Sequence, residues 1–285
     1  MPGFLQLRSV LSFLLLCSWE TLWAAPIRVV SQAVGTDELL VALAEPAQIA
    51  ALSHISRAAE FSAVAKEASA YPSIAQGDAE TILKYQPTLV LAADYSRVEL
   101  VEQVRRAGVK VIVFDRYHTI EDAFANLRQL AAELGGEAPA RAEAIVQDCI
   151  GRIRVLEERL KNVKPSRVIA PSTYGVIAGA GTTFDDICVH AGAVNLASSL
   201  GGLRGHQVPP NEKILTWPID SIVIDGAEDA AALAPYLTLL PYKFLSAVKE
   251  RRMVRLEPYM LSTVSHYRVA AYEMLALGLH PEVFR

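Results

Sequence analysis

The feature that most constrains the fold is one unbroken helical pattern from Pro139 to Lys164, closed by Pro165. Ile145, Cys149, Ile153, Leu156 and Leu160 recur at intervals of three and four, which lines one face of an α-helix. About 25 residues at the helical rise reach roughly 37 Å, more than a crossover within one sheet needs. Pro139 suits a first turn, where its missing N–H costs nothing, and Pro165 cannot continue a helix. Such an element reads as a rigid connector between two bodies.

Both flanks alternate strand and helix. Ile27-Arg28-Val29-Val30-Ser31 is a short apolar, β-branched run of the kind that forms a buried parallel strand. A helix is predicted from Thr36, with Thr36 as its cap, Asp37 and Glu38 in its first turn, and Leu39, Leu40 and Leu43 on its apolar face. Further strands are predicted at 48–52, 89–92 and 109–114. Beyond the connector, Arg167 to Ser172 echoes the first strand, and Glu212-Lys213-Ile214-Leu215 before Ile222-Val223-Ile224 echoes Glu80-Thr81-Ile82-Leu83 before Leu89-Val90-Leu91. Ala247 to Val254 likewise matches Ala107 to Val113. Three echoes in one order make the halves weak repeats, and paired lobes imply a cleft between them. The predicted fold is α/β: two Rossmann-like α/β lobes, at 26–138 and 165–285, joined by one long connecting helix at 139–164.

Composition narrows the partners. The chain of 285 residues is 52% apolar and carries a net charge of -4, so it holds a large core and no basic surface for nucleic acid. Arg8, the apolar run Val10 to Cys17 and Trp23-Ala24-Ala25 follow the order of a signal peptide, assigned to 1–25 with cleavage after Ala24 or Ala25. That run is about ten residues, half of what a bilayer-spanning helix needs. Leu14-Leu15-Leu16-Cys17 has Leu16 where a lipoprotein box wants a small residue, so a cleaved signal is expected over a lipid anchor. Export would place Cys149 and Cys188 in an oxidising compartment; either a disulfide or two buried thiols is compatible with the sequence.

With a connector helix behind a signal peptide, the chain resembles the periplasmic binding proteins that serve ABC importers of vitamin B12, haem and ferric siderophores. The resemblance rests on Val29-Val30-Ser31 with Thr36-Asp37-Glu38-Leu39, Ala79-Glu80-Thr81-Ile82-Leu83, Gln86-Pro87-Thr88-Leu89, Ala178 to Asp186, Ala191 to Asn195, Glu212 to Leu215 and Ala247-Val248-Lys249. Thr88 stands where that family has an acid, and the loop from Ser53 to Arg57 aligns only loosely. The resemblance implies a monomeric, non-catalytic periplasmic carrier with no intrinsic cofactor. Its ligand would be a metal chelate, an iron siderophore, haem or cobalamin, and its partner the importer's permease subunits. It also implies that Glu80 and Glu212 face the permease, although each equally suits a helix first turn after Asp78 or Asn211.

Open α/β sheets place ligands at the carboxyl ends of their strands. This nominates Gln32, His54, Tyr95, Arg116 and Tyr117 from the first lobe, and Tyr174, Arg204, His206 and Tyr242 from the second. Aromatic rings offer flat area to a corrin or porphyrin, and Arg can fork onto propionates or catecholates. Tyr95, Tyr117, His54 and His206 are candidate axial ligands to haem iron. No two of the six His have the spacing that pairs them on one helix face, which leaves a zinc or manganese receptor as the weaker reading and the metal site undefined. An exported α/β enzyme is the alternative from another class. However, Gly179-Ala180-Gly181 lacks the third glycine of a dinucleotide loop, Asp185-Asp186 reads as a helix-start pair, and neither a P-loop nor a nucleophile elbow occurs.

Overall fold

The computed structural model describes residues 26–285 except Gln76 and Asn211, so the expected signal peptide, with Cys17, lies outside the described residues. In the first lobe β1 (Val29–Ser31), α1 (Val34–Leu43), β2 (Ile49–Ser53), α2 (Ala65–Ala68), β3 (Ser73–Ile74), α3 (Ala79–Leu83), β4 (Leu89–Ala93), α4 (Val98–Arg106) and β5 (Lys110–Phe114) alternate. The five strands are parallel in the order β3-β2-β1-β4-β5. Every residue of β1, β2 and β4 is buried, as expected of strands covered by helices on both faces.

Helices α5 (Ile120–Leu134) and α6 (Ala138–Leu160) follow, and α6 is the connector. It buries Ala138, Ala142, Val146, Cys149, Ile153 and Leu156, a stripe at three- and four-residue spacing. Ile145 and Leu160, expected on that stripe, are half-buried beside it. The helix starts one residue before the predicted Pro139 and stops at Leu160, because Lys161 to Val163 turn the chain before Pro165 is reached. Arg141 donates to the Leu43 carbonyl at 2.9 Å, tying α6 to the first lobe. Arg152 forks onto Glu273 at 2.9 and 2.6 Å, tying it to the second.

The second lobe comprises β6 (Ser166–Ile169), β7 (Ile177–Ala178), α7 (Thr183–His190), β8 (Ala193–Asn195), α8 (Leu196–Ser199), β9 (His206–Gln207), β10 (Ser221–Asp225), α9 (Asp229–Leu233), α10 (Ser246–Lys249), β11 (Met253–Leu256) and α11 (Arg268–Leu279). Four strands are parallel in the order β11-β10-β6-β8, while β7 and β9 form a small antiparallel pair. The order β2-β1-β4-β5 therefore repeats as β8-β6-β10-β11, the structural form of the sequence echoes. At the second repeat's turn, Gly179 sits so close to the Leu203 carbonyl that a Cβ would lie 2.4 Å from its oxygen. Cys149 and Cys188 are both unpaired and buried. Burial pushes the Cys149 thiol up to about 11 and that of Cys188 upward too, so neither is a reactive thiolate.

Two local expectations need correction. Thr36 does not cap α1: the cap position is Ala33, and Thr36 lies inside the helix, its hydroxyl bonded to the Ala33 carbonyl at 2.9 Å and to Ser31 at 2.7 Å. Asp37 stands in the first turn of α1 as expected, but Glu38 lies one residue beyond it, and both are fully buried. The carboxylate of Asp37 accepts from the Ser53 amide at 3.1 Å, the Ser53 hydroxyl at 2.6 Å and the Ser56 hydroxyl. Helix α1 faces β2 and the segment after it, so this turn is covered by protein and serine hydroxyls replace water.

Candidate ligand cleft

The lobes meet along a seam of buried polar groups. Glu38 in α1 accepts from the Ala63 amide at 2.9 Å and from two residues of the segment preceding α11, Thr263 at 2.8 Å and Ser265 at 2.6 Å. Burial raises its carboxyl above the usual range, opposed by these donors. Val264 closes over Gly35, where a Cβ would lie 2.4 Å from its methyl carbon. Arg268 is wholly buried and bonds the carbonyls of Tyr117 at 2.7 Å and His118 at 2.9 Å in the first lobe, and Asp186 at 2.9 Å in the second. Asp186 also receives the Tyr272 hydroxyl, and His118 Nδ1 lies 2.9 Å from the Gly181 carbonyl. Both acids stand in the first turn of α7, which Thr182 caps through the Asp185 amide at 3.3 Å; Asp185 also receives the Gly181 amide at 3.2 Å, whereas Asp186 turns to the ion pair with Arg268.

Above this seam two cavities open, and Ser262 lines both. The first, about 270 Å³, is walled by loops at the ends of β1, β4 and β5: Ala33 to Thr36, Ala93, Tyr95, Phe114 and Tyr117, with Ile55, Phe61 and Val264. The second, about 290 Å³, is walled from β6 and β10 by Pro171 to Tyr174 and Asp225, with His206, Tyr236 and Leu261. Both sit at carboxyl ends of parallel strands, on facing lobes. Tyr117 donates its hydroxyl to both oxygens of Asp94, at 2.9 and 3.0 Å. Burial and that bond raise its phenol, so near neutral pH it is a neutral ring with a polar tip.

Of the nominated residues, Tyr95, Tyr117, Tyr174 and His206 line the cleft, and the tyrosines of its two rims are open, Tyr95 at 72% and Tyr174 at 89% exposure. Gln32 is half-buried beside β4, its backbone N–H donating to the Leu91 carbonyl at 3.0 Å, and does not line either cavity. His54 is exposed on a short 3-10 turn, with Nδ1 3.0 Å from the Ile74 carbonyl. Arg116 and Arg204 are exposed outside both linings. Tyr242 is a core residue and not a cleft residue: it is 0% exposed, packs edge-on against Tyr236 and directs its hydroxyl 3.4 Å from the Val176 carbonyl. Phe61, Asp225, Tyr236 and the segment from Leu261 to Val264 also line the cleft, beyond the residues to which the sequence points. Asp225 and Pro171 follow from the same strand-end rule; Phe61 and Ser262 lie in loops whose sequence carries no such signal.

The docking candidates are both on the surface. Glu80 stands in the first turn of α3, 3.0 Å from Lys84, while Asp78 caps that helix through the Thr81 amide at 2.8 Å. Glu212 is exposed just before the 3-10 turn Lys213–Thr216. Asn211, its expected cap, lies outside the described residues. Among the described residues no group of three or more His, Cys, Asp or Glu is placed to hold a metal ion, and no helix is long and apolar enough to cross a membrane.

Two lobes of matching strand order on one connector helix, with a cleft at their strand ends, are matched by a family model described as periplasmic binding protein over residues 29–259. The chain belongs to the periplasmic binding protein family. Solved structures agree on the fold of this binding protein. The apo periplasmic heme-binding protein RhuT from Roseiflexus sp. RS-1 superposes with a TM-score of 0.78 at 20% identity, covering 91% of this chain and 100% of that one. A periplasmic heme-binding protein from Pseudomonas aeruginosa gives 0.75 at 24% identity, covering 90% and 94%. MolA from Haemophilus influenzae, bound to molybdate, gives 0.75 at 17% identity, covering 91% and 88%. No curated protein sequence matches the chain.

Proposed function

We propose that this binding protein captures a metal chelate, a ferric siderophore, haem or cobalamin, in the inter-lobe cleft and hands it to an ABC importer in the periplasm, by reversible binding without catalysis. The observation that carries the proposal is the pair of cavities meeting at Ser262, lined by Phe61, Tyr95, Phe114 and Tyr117 on one lobe and Tyr174, His206 and Tyr236 on the other. Ring faces and aliphatic groups favour a flat or bulky apolar ligand body, while hydroxyl and imidazole groups meet its polar edge. The heme-binding proteins of the same fold support the ligand class. Tyr95, Tyr117 and His206 remain the candidates for axial contact with a chelated metal.

The test is quenching of intrinsic fluorescence of the mature protein by cyanocobalamin, haemin and ferric siderophores. Saturable one-to-one quenching by a member of the panel is expected, and silence across the panel would overturn the proposal. Glu80 and Glu212 are proposed to contact the permease. E80K together with E212K should leave chelate affinity unchanged and lower uptake about tenfold or more; unchanged uptake would remove the docking role.

A further inference from the structure

We infer that Asp225 sets the charge selectivity of the cleft, which takes uncharged or cationic metal chelates with N–H donors on their periphery in preference to polyanionic ones. The inference rests on the proposed function and deepens it. Among the described residues no Lys or Arg side chain lines either cavity. Both arginines that could have met a propionate or catecholate, Arg116 and Arg204, stand outside the linings. A buried ligand carboxylate or catecholate without a cation nearby loses its hydration and gains no counter-charge.

The acids of the cleft differ in how they are held. Glu38 is sealed by three donors, and Asp94 holds the Tyr117 hydroxyl. Asp225, the last residue of β10, lines the second cavity and has no ion-pair partner among the described residues. The nearest strand cation is Arg255 on β11, which registers against Ile224. Its guanidinium is committed to Asp229 at 2.6 Å, the Gly226 carbonyl at 2.7 Å and Glu257 at 3.4 Å. Asp225 thus faces the cavity beside Ser172, Thr173, Tyr174 and His206 as an unpaired carboxylate. Asp225 is exposed at the mouth of this cavity, and the partial desolvation there raises its carboxyl above the ordinary range. An ammonium or amide N–H of the ligand supplies that donor; a ligand carboxylate repels it. The fold itself imposes no sign of charge, since MolA holds an oxyanion on the same scaffold.

The test is calorimetric titration at pH 7.5 with cationic ferrioxamine B, uncharged cyanocobalamin, haemin and anionic ferric enterobactin. The wild type is expected to bind a cationic or uncharged chelate at least tenfold more tightly than the anionic two. Asp225→Asn should shrink that ratio by about tenfold, equivalent to about 1.4 kcal/mol. Thr173→Lys, which leaves Asp225 in place and adds a cation beside it, should shift the ranking the same way. Tightest binding of an anionic chelate by the wild type, or an unchanged ratio in both variants, overturns the inference while leaving the proposed function standing. Failure of every chelate to bind overturns the proposed function, and this inference with it.

Discussion

The two halves of the cleft are built from equivalent strand ends and finished in opposite ways. The first-lobe half is an apolar wall of Val34, Leu39, Ile55, Phe61 and Phe114, and the two acids beneath it in α1 are locked by amides and hydroxyls. The second-lobe half offers Ser172, Thr173, His206 and an unpaired Asp225. Repetition of the fold therefore placed the loops, while their side chains differ: among the described lining residues the only imidazole, His206, is in the second half, and the first half's carboxylate, Glu38, is held by three donors whereas Asp225 has no ion-pair partner. The seam that holds the halves in register belongs to neither. Thr263, Ser265 and Arg268 follow β11 in the chain yet bond residues of the first lobe.

The largest expected effect comes from breaking that seam. Arg268→Ala leaves Asp186 buried without its cation and three carbonyls without their donor, and should destabilise the fold by about 3–5 kcal/mol in urea denaturation. A loss below about 1 kcal/mol would show that the seam does not set the lobe register. Two buried groups near the seam, Asp37 in α1 and His266 before α11, titrate with opposite sign. Burial pushes Asp37 up to about 6, so its contribution is full below the ordinary carboxylate range and is lost as pH rises through about 6. Burial pushes His266 down to about 4, so its contribution is present above the ordinary imidazole value and is lost as pH falls through about 4. Stability measured from pH 4 to 7 should therefore fall less steeply with rising pH in Asp37→Asn, by about 3 kcal/mol across the window, with the opposite change in His266→Gln. Parallel profiles for wild type and Asp37→Asn would contradict the assignment.

A smaller effect separates the halves as ligand surfaces. Phe61→Ala removes a ring from the apolar wall and should weaken chelate binding about tenfold, whereas Thr173→Ala, at an exposed polar position, should change it less than about threefold. The smallest expected change is in shape. Because one connector, tied to the first lobe by Arg141 and to the second by Arg152, joins the lobes, closure on ligand should be a slight tilt, and a large compaction in small-angle scattering would contradict that.

Local signals carried much of this fold in the sequence. The period of Cys149, Ile153 and Leu156 marks the connector, the β-branched runs mark the central strands, and strand ends point to Tyr95, Tyr117, Tyr174 and His206. What was not legible depends on partners far away in the chain. Glu38 and Asp186 look like first-turn acids until Ser265 and Arg268, 227 and 82 residues distant, arrive beside them. Tyr242 looks like a loop aromatic until Tyr236 and Val176 enclose it. Arg116 and Arg204 sit near strand and turn ends, but which way an exposed arginine extends is not encoded in spacing.

The central claim, reversible capture of an unmodified chelate between the lobes, is tested most directly by native mass spectrometry of the mature protein mixed with the chelate panel, comparing wild type with Ser262→Trp. Ser262 is the residue common to both cavities, so an indole there fills the middle of the cleft. The expected result is one chelate per wild-type chain, recovered chemically unchanged on release, and none on the folded Ser262→Trp variant. Equal retention by both proteins, or release of an altered compound, would contradict it.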